Sequence, residues 1–452
     1  MTDIDGGQTA ASTGALDRRF ALSARGTSVR TEVLAGATTF FTMAYIILVN
    51  PAILGQAGMP VAAVAAATCF AAAFASIMMG LVANVPLALA PGMGLNAYFS
   101  FTVVQQMGIP WPIALGCVFI SGVVFLLLTL VGVRQLIVAA IPPHLFAAVA
   151  GGIGLFIGFI GLKNAGIIVS NPATSVGLGD LRQPGPALAL LGLLLIACLS
   201  AWKIRGAMLI GIIATAIIGW IIGIVAFVPT PYDLSALTQT AFKLDLLGVL
   251  GVTGTHGLGL FEILFVFLFV DLFDNIGTLV GVTKRAGLMD AGGRIPGLNR
   301  ILITDATATI VGSLAGTSTV TSYIESAAGV QAGGRTGLAS VVTGLLFLVA
   351  MLFAPYAQLI PVAATAPALV VVGALMMAPL AEIDWDDPMI ALPSFLTVAM
   401  IPLTYSIANG IAFGLTAYAV MKIVTGRAVR SDWLLFLLAG LFVARFVWMA
   451  GG

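Results

Sequence analysis

From residue 34 onward the chain is a succession of apolar runs parted by short polar stretches, many of them close to the roughly 20 residues that carry an α-helix across a bilayer. The runs fall at 34–54, 61–85, 88–107, 111–131, 144–162, 186–202, 206–228, 258–281, 300–315, 317–332, 336–354, 361–378, 389–404, 407–424 and 432–448. About fourteen or fifteen spanning segments are therefore expected, in an all-α polytopic membrane protein. Residues 1–33 are polar, hold Arg18, Arg19, Arg25 and Arg30, and lack an apolar stretch ending in a small-residue cleavage site, so they are expected to stay on as an N-terminal segment.

The basic residues orient these runs. With a cytoplasmic N-terminus, alternation places Arg18, Arg19, Arg25, Arg30, Arg134, Lys203, Arg205, Lys284, Arg285, Arg294, Arg300, Arg335, Lys422, Arg427 and Arg430 inside. Only Lys163, Arg182 and Lys243 fall outside, and Arg445 lies within the last run. Such an excess of inner Lys and Arg is what membrane insertion selects, which points to a multi-pass protein of a bacterial-type cytoplasmic (inner) membrane. The acidic loop Glu382, Asp384, Asp386, Asp387 also falls inside, and acids weigh little in that rule.

Two runs are interrupted in the same way. One reads Leu89-Ala90-Pro91-Gly92-Met93-Gly94-Leu95-Asn96-Ala97-Tyr98, the other Leu314-Ala315-Gly316-Thr317-Ser318-Thr319-Val320-Thr321-Ser322-Tyr323. Aligned on those ends they stand 225 apart (314 − 89). Irregular backbone at membrane depth is tolerated only where protein encloses it or where it lines a cavity. Broken helices at matching places in two halves are the sequence mark of a transporter site. The spacing agrees with a seven-span half repeated once, and an odd number of spans per half turns the second half over.

Composition adds exclusions. Hydrophobic residues make up 60% of the 452 and charged residues 8%, where a soluble domain carries roughly 25% charged. Mean hydropathy is +1.12. The formal net charge of +1 offers no basic field for nucleic acid. Cys69, Cys117 and Cys198 sit in apolar runs without metal-ligand spacing and read as small core residues. His144 and His256 form no HExxH or triad-like pattern, and no metal or other cofactor is expected.

Candidate chemistry rests on acids within the runs. No basic residue occurs between Lys243 and Lys284, yet Glu262, Asp271 and Asp274 do, with Asp305 in the ninth run and Glu325 just past the second break. An ionisable group in the bilayer interior is costly, so it is expected to face a cavity or a partner. Glu262 is expected near the outer interface, in water. A lone acid in a low-dielectric pocket favours its neutral form, which makes proton uptake accessible and lets one group both accept and donate hydrogen bonds. Asp274 and Glu325 together suit a neutral, planar, N–H-rich ring better than an anion. The half-helices near Asn96 and Tyr323 would aim free N–H groups at the midplane, and the Asn96 amide could contact a ligand.

Four stretches carry a resemblance. Gly36-Ala37-Thr38-Thr39-Phe40-Phe41-Thr42-Met43-Ala44-Tyr45-Ile46-Ile47-Leu48-Val49-Asn50-Pro51, Ala90 to Ala97, Leu272-Phe273-Asp274-Asn275-Ile276-Gly277-Thr278-Leu279-Val280-Gly281 and Ser322-Tyr323-Ile324-Glu325-Ser326-Ala327-Ala328-Gly329-Val330 resemble motifs of AzgA-like purine permeases, in the nucleobase/ascorbate transporter superfamily. The likeness runs from about residue 17 to 450. It implies fourteen spans in two inverted repeats, a uracil-permease-like fold in which spans three and ten are broken by short extended segments. Residues 34–131 and 258–354 would form a core domain, 144–228 and 361–424 a gate domain, and 432–448 an extra C-terminal apolar helix. It further implies proton-coupled uptake of adenine, hypoxanthine or guanine by an elevator motion, in a homodimer.

Residue by residue, Asp274 resembles the acid that engages the purine and couples to the proton, and Glu325 the glutamate that hydrogen-bonds the base. Gly94, Asn96, Thr278 and Ile324 would line the same pocket, while Asp271 and Asp305 would support it. Thr278 stands where some uracil-type relatives place a histidine. Asn275 departs from a commoner Thr.

Other readings are a carrier of the same architecture for uracil, xanthine or an anion, purine transport without protons, and an intramembrane enzyme. Asp271-x-x-Asp274 lacks the second acidic cluster and basic residues of a diphosphate site. Gly92-x-Gly94-x-x-Ala97 lacks a βαβ context.

Overall fold

The computed structural model describes residues 14–132, 142–225, 235–255, 257–289, 295 and 297–450. Within helices some side chains lie outside that description, Glu262 and Asp274 among them, as does the whole of His256. About 74% of the chain is helical.

In chain order the first half comprises α1 (Ala15–Phe20), α2 (Val29–Met43), α3 (Ile46–Gly55), α4 (Val61–Met78), β1 (Leu89–Pro91), α5 (Met93–Ala97), α6 (Trp111–Val131) and α7 (Pro143–Asn164). A hairpin follows, β2 (Ile168–Asn171) and β3 (Ser175–Leu178), then α8 (Pro184–Ala201) and α9 (Ala207–Ile221). The second half comprises α10 (Leu246–Thr255), α11 (Gly257–Arg285), α12 (Leu298–Ala315), β4 (Val320–Ser322), α13 (Ser326–Gln331), α14 (Gly337–Met351), α15 (Val362–Met376), α16 (Pro388–Leu403), α17 (Ile407–Val424) and α18 (Trp433–Ala450). Every apolar run contains helix, and seven helical stretches among the described residues are long and apolar enough to cross a membrane.

Local chemistry sets the element ends. Pro143 and Pro184 occupy first helical positions, where a missing N–H costs nothing. α6 stops at Gly132 and α12 at Gly316, both left-handed (φ +80° and +96°), a conformation cheap only for glycine. The first apolar run breaks at Ala44–Tyr45 into α2 and α3.

Glycine and alanine let the helices approach closely, as apolar helices in lipid require. A Cβ on Gly373 of α15 would stand 2.6 Å from the Gly158 nitrogen of α7. One on Gly337 of α14 would lie 2.7 Å from Gly80 Cα, just past α4. Below that crossing a polar clamp joins the N-terminal segment to the turns after α4 and α13. Glu32, fully buried, accepts from the N–H groups of Arg335 (2.7 Å), Thr336 (3.2 Å) and Ala339 (3.2 Å), so its carboxylate caps α14. Arg25 donates to the carbonyls of Asn84 (2.7 Å) and Arg335 (3.0 Å).

Three findings correct the sequence reading. The extended segments begin at Leu89 and Val320, 231 apart (320 − 89), whereas the sequence aligned the two breaks 225 apart. Leu314 and Ala315, matched to β1 in the sequence, instead complete α12. Cys69 and Cys117 are buried, but Cys198 is exposed on α8 and is not a core residue.

Candidate functional site

The two broken runs meet. β1 and β4 pair antiparallel, with Leu89 opposite Ser322, Ala90 opposite Thr321 and Pro91 opposite Val320. The Gly92 N–H donates to the Thr319 carbonyl (2.9 Å) and the Tyr323 N–H to the Ala88 carbonyl (3.0 Å). Side chains close what a two-stranded ribbon leaves open. Ser76 Oγ accepts from the Leu89 N–H (3.0 Å), Ser326 Oγ from the Ala88 N–H (2.9 Å), and Thr309 Oγ1 donates to the Val320 carbonyl (3.0 Å). The Tyr323 hydroxyl donates to the Pro91 carbonyl (2.6 Å). Without water to pair them, extended backbone groups at this depth would each cost several kcal/mol, roughly the penalty for an unsatisfied group in hydrocarbon.

Each strand runs directly into a half-helix, α5 after Gly92 and α13 after Glu325. Glu325 occupies the residue before α13 but does not spend its carboxylate on capping. Its Oε1 instead accepts the Tyr45 hydroxyl at 2.6 Å. Tyr45 reaches it from the break between α2 and α3. A cleft of about 530 Å³ opens beside Glu325, lined by Thr38 and Thr42 of α2, residues 203–208 at the start of α9, and Gln331 of α13. Ile324, half exposed, touches α11, since a Cβ on Gly281 would stand 3.4 Å from its Cδ1.

On α11, Asp271, Asn275 and Thr278 are all buried. Asn275 Oδ1 accepts from Ser322 Oγ (2.8 Å), which fastens β4 to this turn of the helix. Asp274 shares that turn through its backbone, and its side chain lies outside the described residues. Asp305 is fully buried on α12.

Asn96 faces inward, into a closed network. Its Nδ2 donates to Asn50 Oδ1 (2.6 Å), and its Oδ1 accepts from Ser318 Oγ. Asn50 Nδ2 in turn donates to Thr68 Oγ1 (2.7 Å) and Thr317 Oγ1 (2.9 Å). Both ends of the Asn96 amide therefore tie α5 to α3, α4 and the approach to β4. Gly94 meets α7, where a Cβ would come within 2.7 Å of Ile153 Cγ2. The cleft thus gathers Glu325 and the neutral residues of α2, while Asn96 and Gly94 sit in packed contacts.

Sequence reasoning missed Tyr45, Asn50, Thr317 and Ser318 because it searched the apolar runs for ionisable groups. Neutral polar side chains in mid-run were the available signal, and Tyr45 and Asn50 stand out in that way within the first apolar run.

The permease family model described as Permease family matches residues 30–413. Adenine permease AdeP of Escherichia coli (strain K12) is 46% identical over 436 residues, 96% of this chain and 97% of that protein. Guanine/hypoxanthine permease PbuG of Bacillus subtilis (strain 168) is 42% identical over 433 residues, 94% of this chain and 98% of that protein. Among solved structures, the transmembrane domain of the cyanobacterial bicarbonate transporter BicA aligns with a TM-score of 0.64 at 17% identity, covering 84% of this chain and 97% of that one, a likeness of fold alone.

Proposed function

The chain belongs to this permease family and is not an enzyme, and on that premise we propose that it carries purine nucleobases across a membrane by proton-coupled alternating access. The observation that carries the reading is Glu325: a carboxylate held by Tyr45 at the end of a paired extended segment, opening onto a polar cleft. A purine presents ring and exocyclic N–H groups in one plane. An ionised carboxylate accepts two of them, and a neutral one accepts and donates. High identity to an adenine permease and to a guanine/hypoxanthine permease over nearly the whole chain supports the same substrate class.

In this reading fourteen spans form two inverted seven-span repeats, with β1 and β4 crossing at their common centre. The core is 34–131 with 258–354 and the gate is 144–228 with 361–424. The N-terminus is cytoplasmic, in the inner membrane of a homodimer. Gly94, Asn96, Thr278 and Ile324 shape the pocket around Asp274 and Glu325. Asn96 acts by bracing the half-helix, while Asp271 and Asp305 support the core.

Asp274 takes up the proton and Glu325 the base from the outer face. Loading lowers the net charge that the core must carry past hydrocarbon, and the occupied core then slides against the gate. Lys203 and Arg205 in the cleft belong to the inner side by the distribution of basic residues, so the cleft is the inward exit of this state.

BicA shares the fold and carries an anion, which keeps an anion carrier as the rival reading; acids at both candidate positions oppose it. Uptake of labelled adenine, hypoxanthine, guanine, uracil and sulfate into proteoliposomes, with and without an imposed proton gradient, decides between them. Gradient-driven accumulation of a purine is the expected result. Sulfate transport, or purine uptake indifferent to the gradient, would overturn the proposal.

A further inference from the structure

The cleft beside Glu325 is not uniform in charge. Glu325, held by Tyr45, lines it, and so does Arg205, whose Nη1 donates to Thr38 Oγ1 (3.2 Å), seven residues before Tyr45 on the first span (45 − 38). Lys203 lines the same cleft. Among the described residues neither cation has a carboxylate within ion-pair distance, the one described pair being Lys422–Asp432. The hydroxyls of Thr38, Thr42 and Ser200 and the amide of Gln331 complete the lining. A nucleobase meeting Glu325 would leave the two cations without an anionic partner among the described residues. At about 530 Å³ the space is well within the roughly 300–1,000 Å³ of small-molecule sites.

We propose that this cleft also binds a purine nucleoside monophosphate from the side of Lys203 and Arg205. The purine edge meets Glu325, and the phosphate meets the two cations. The inference rests on the purine reading of Glu325. Phosphate is matched by Arg and Lys through charge-assisted bonds, whereas a lipid headgroup would bring no N–H edge to the carboxylate. The bound nucleotide is not carried, because its phosphate charge cannot be neutralised along with the base and cannot cross hydrocarbon. Occupancy therefore blocks the inward-facing state, and uptake slows when the phosphoribosylated product of the imported base accumulates.

The test uses the purified full chain in detergent. Labelled adenine, hypoxanthine or guanine is bound and then displaced by its 5′-monophosphate, by its nucleoside and by inorganic phosphate. The expected result is displacement by the monophosphate at a concentration at least about tenfold below that of the nucleoside or of phosphate, equivalent to one strong polar contact. In a Lys203→Gln/Arg205→Gln variant that advantage should vanish while the base itself still binds. It should also shrink in the wild-type protein as salt is raised, because exposed cations are screened. A monophosphate no better than its nucleoside, or an advantage that survives the variant or the salt, would overturn the proposal. Failure of every base to bind would instead defeat the purine reading beneath it.

Discussion

Glu325 and Tyr45 form one unit, and each can be altered without changing shape. Glu325→Gln keeps the outline but replaces a charged acceptor by a neutral amide, forfeiting an interaction of about 1.5–3 kcal/mol. Purine affinity, measured by equilibrium binding, should fall by roughly tenfold to a hundredfold; an unchanged affinity would remove Glu325 from the pocket. Tyr45→Phe keeps the ring and deletes the side-chain donor that holds the carboxylate. It should weaken binding less than Glu325→Gln, by about tenfold at most. Because the two share a contact, the double variant should lose less than the product of the single losses. Strict additivity in that cycle would show that Tyr45 acts elsewhere. The sequence pointed to Glu325 because a charge in an apolar run is conspicuous, but it did not point to Tyr45. A neutral hydroxyl carries no charge to draw the eye, and its partner lies 280 residues away. The environment of Asn96 was hidden for the same reason, since its network's four other members come from other segments.

At the scale of elements, the breaks were legible and their register was not. Gly, Pro and β-branched residues in mid-run mark where a helix fails, but the exact extended residues depend on which backbone groups find partners across the ribbon. Pairing with β1 selects Val320–Ser322, six residues beyond the sequence alignment (231 − 225). The hairpin of β2 and β3 escaped detection as well, because its strands are short and largely exposed, with no buried face to impose alternation. Helix contacts can be probed directly. At Gly373, α7 and α15 are so close that an added methyl meets backbone, which cannot move aside as a side chain can. Gly373→Ala should destabilise the protein by about 1–3 kcal/mol, seen as a lower midpoint of thermal unfolding in detergent. Gly440→Ala on α18, where nothing lies within 4 Å, should leave that midpoint unchanged or raise it slightly. Equal behaviour of the two variants would mean that the α7–α15 crossing is looser than described.

For the whole molecule, the proposed function requires that cargo be coupled to a proton. The ribbon of β1 and β4 pairs the broken run of the first half with that of the second, and the cleft beside Glu325 separates α2 and α13 from the turn before α9. Arg205 to Thr38 is a side-chain bond across that cleft. Such a boundary suits sliding, because few polar contacts must break when one side moves. What moves must not carry uncompensated charge, since a bare carboxylate dragged through hydrocarbon costs far more than thermal energy supplies. In the proposed mechanism two acids near one base thus require a proton on the loaded carrier, and the empty carrier must return deprotonated, its charge met by other groups, because a proton carried back would not have been delivered. Asp274→Asn removes the proton site but keeps a neutral side chain of the same shape, so the loaded carrier can still cross. The variant should lose gradient-driven accumulation entirely, yet still exchange labelled for unlabelled purine across proteoliposomes. Both assays run on one preparation, which separates a coupling defect from misfolding. Full accumulation by Asp274→Asn would move the proton to another residue, with Glu325 the next to be replaced.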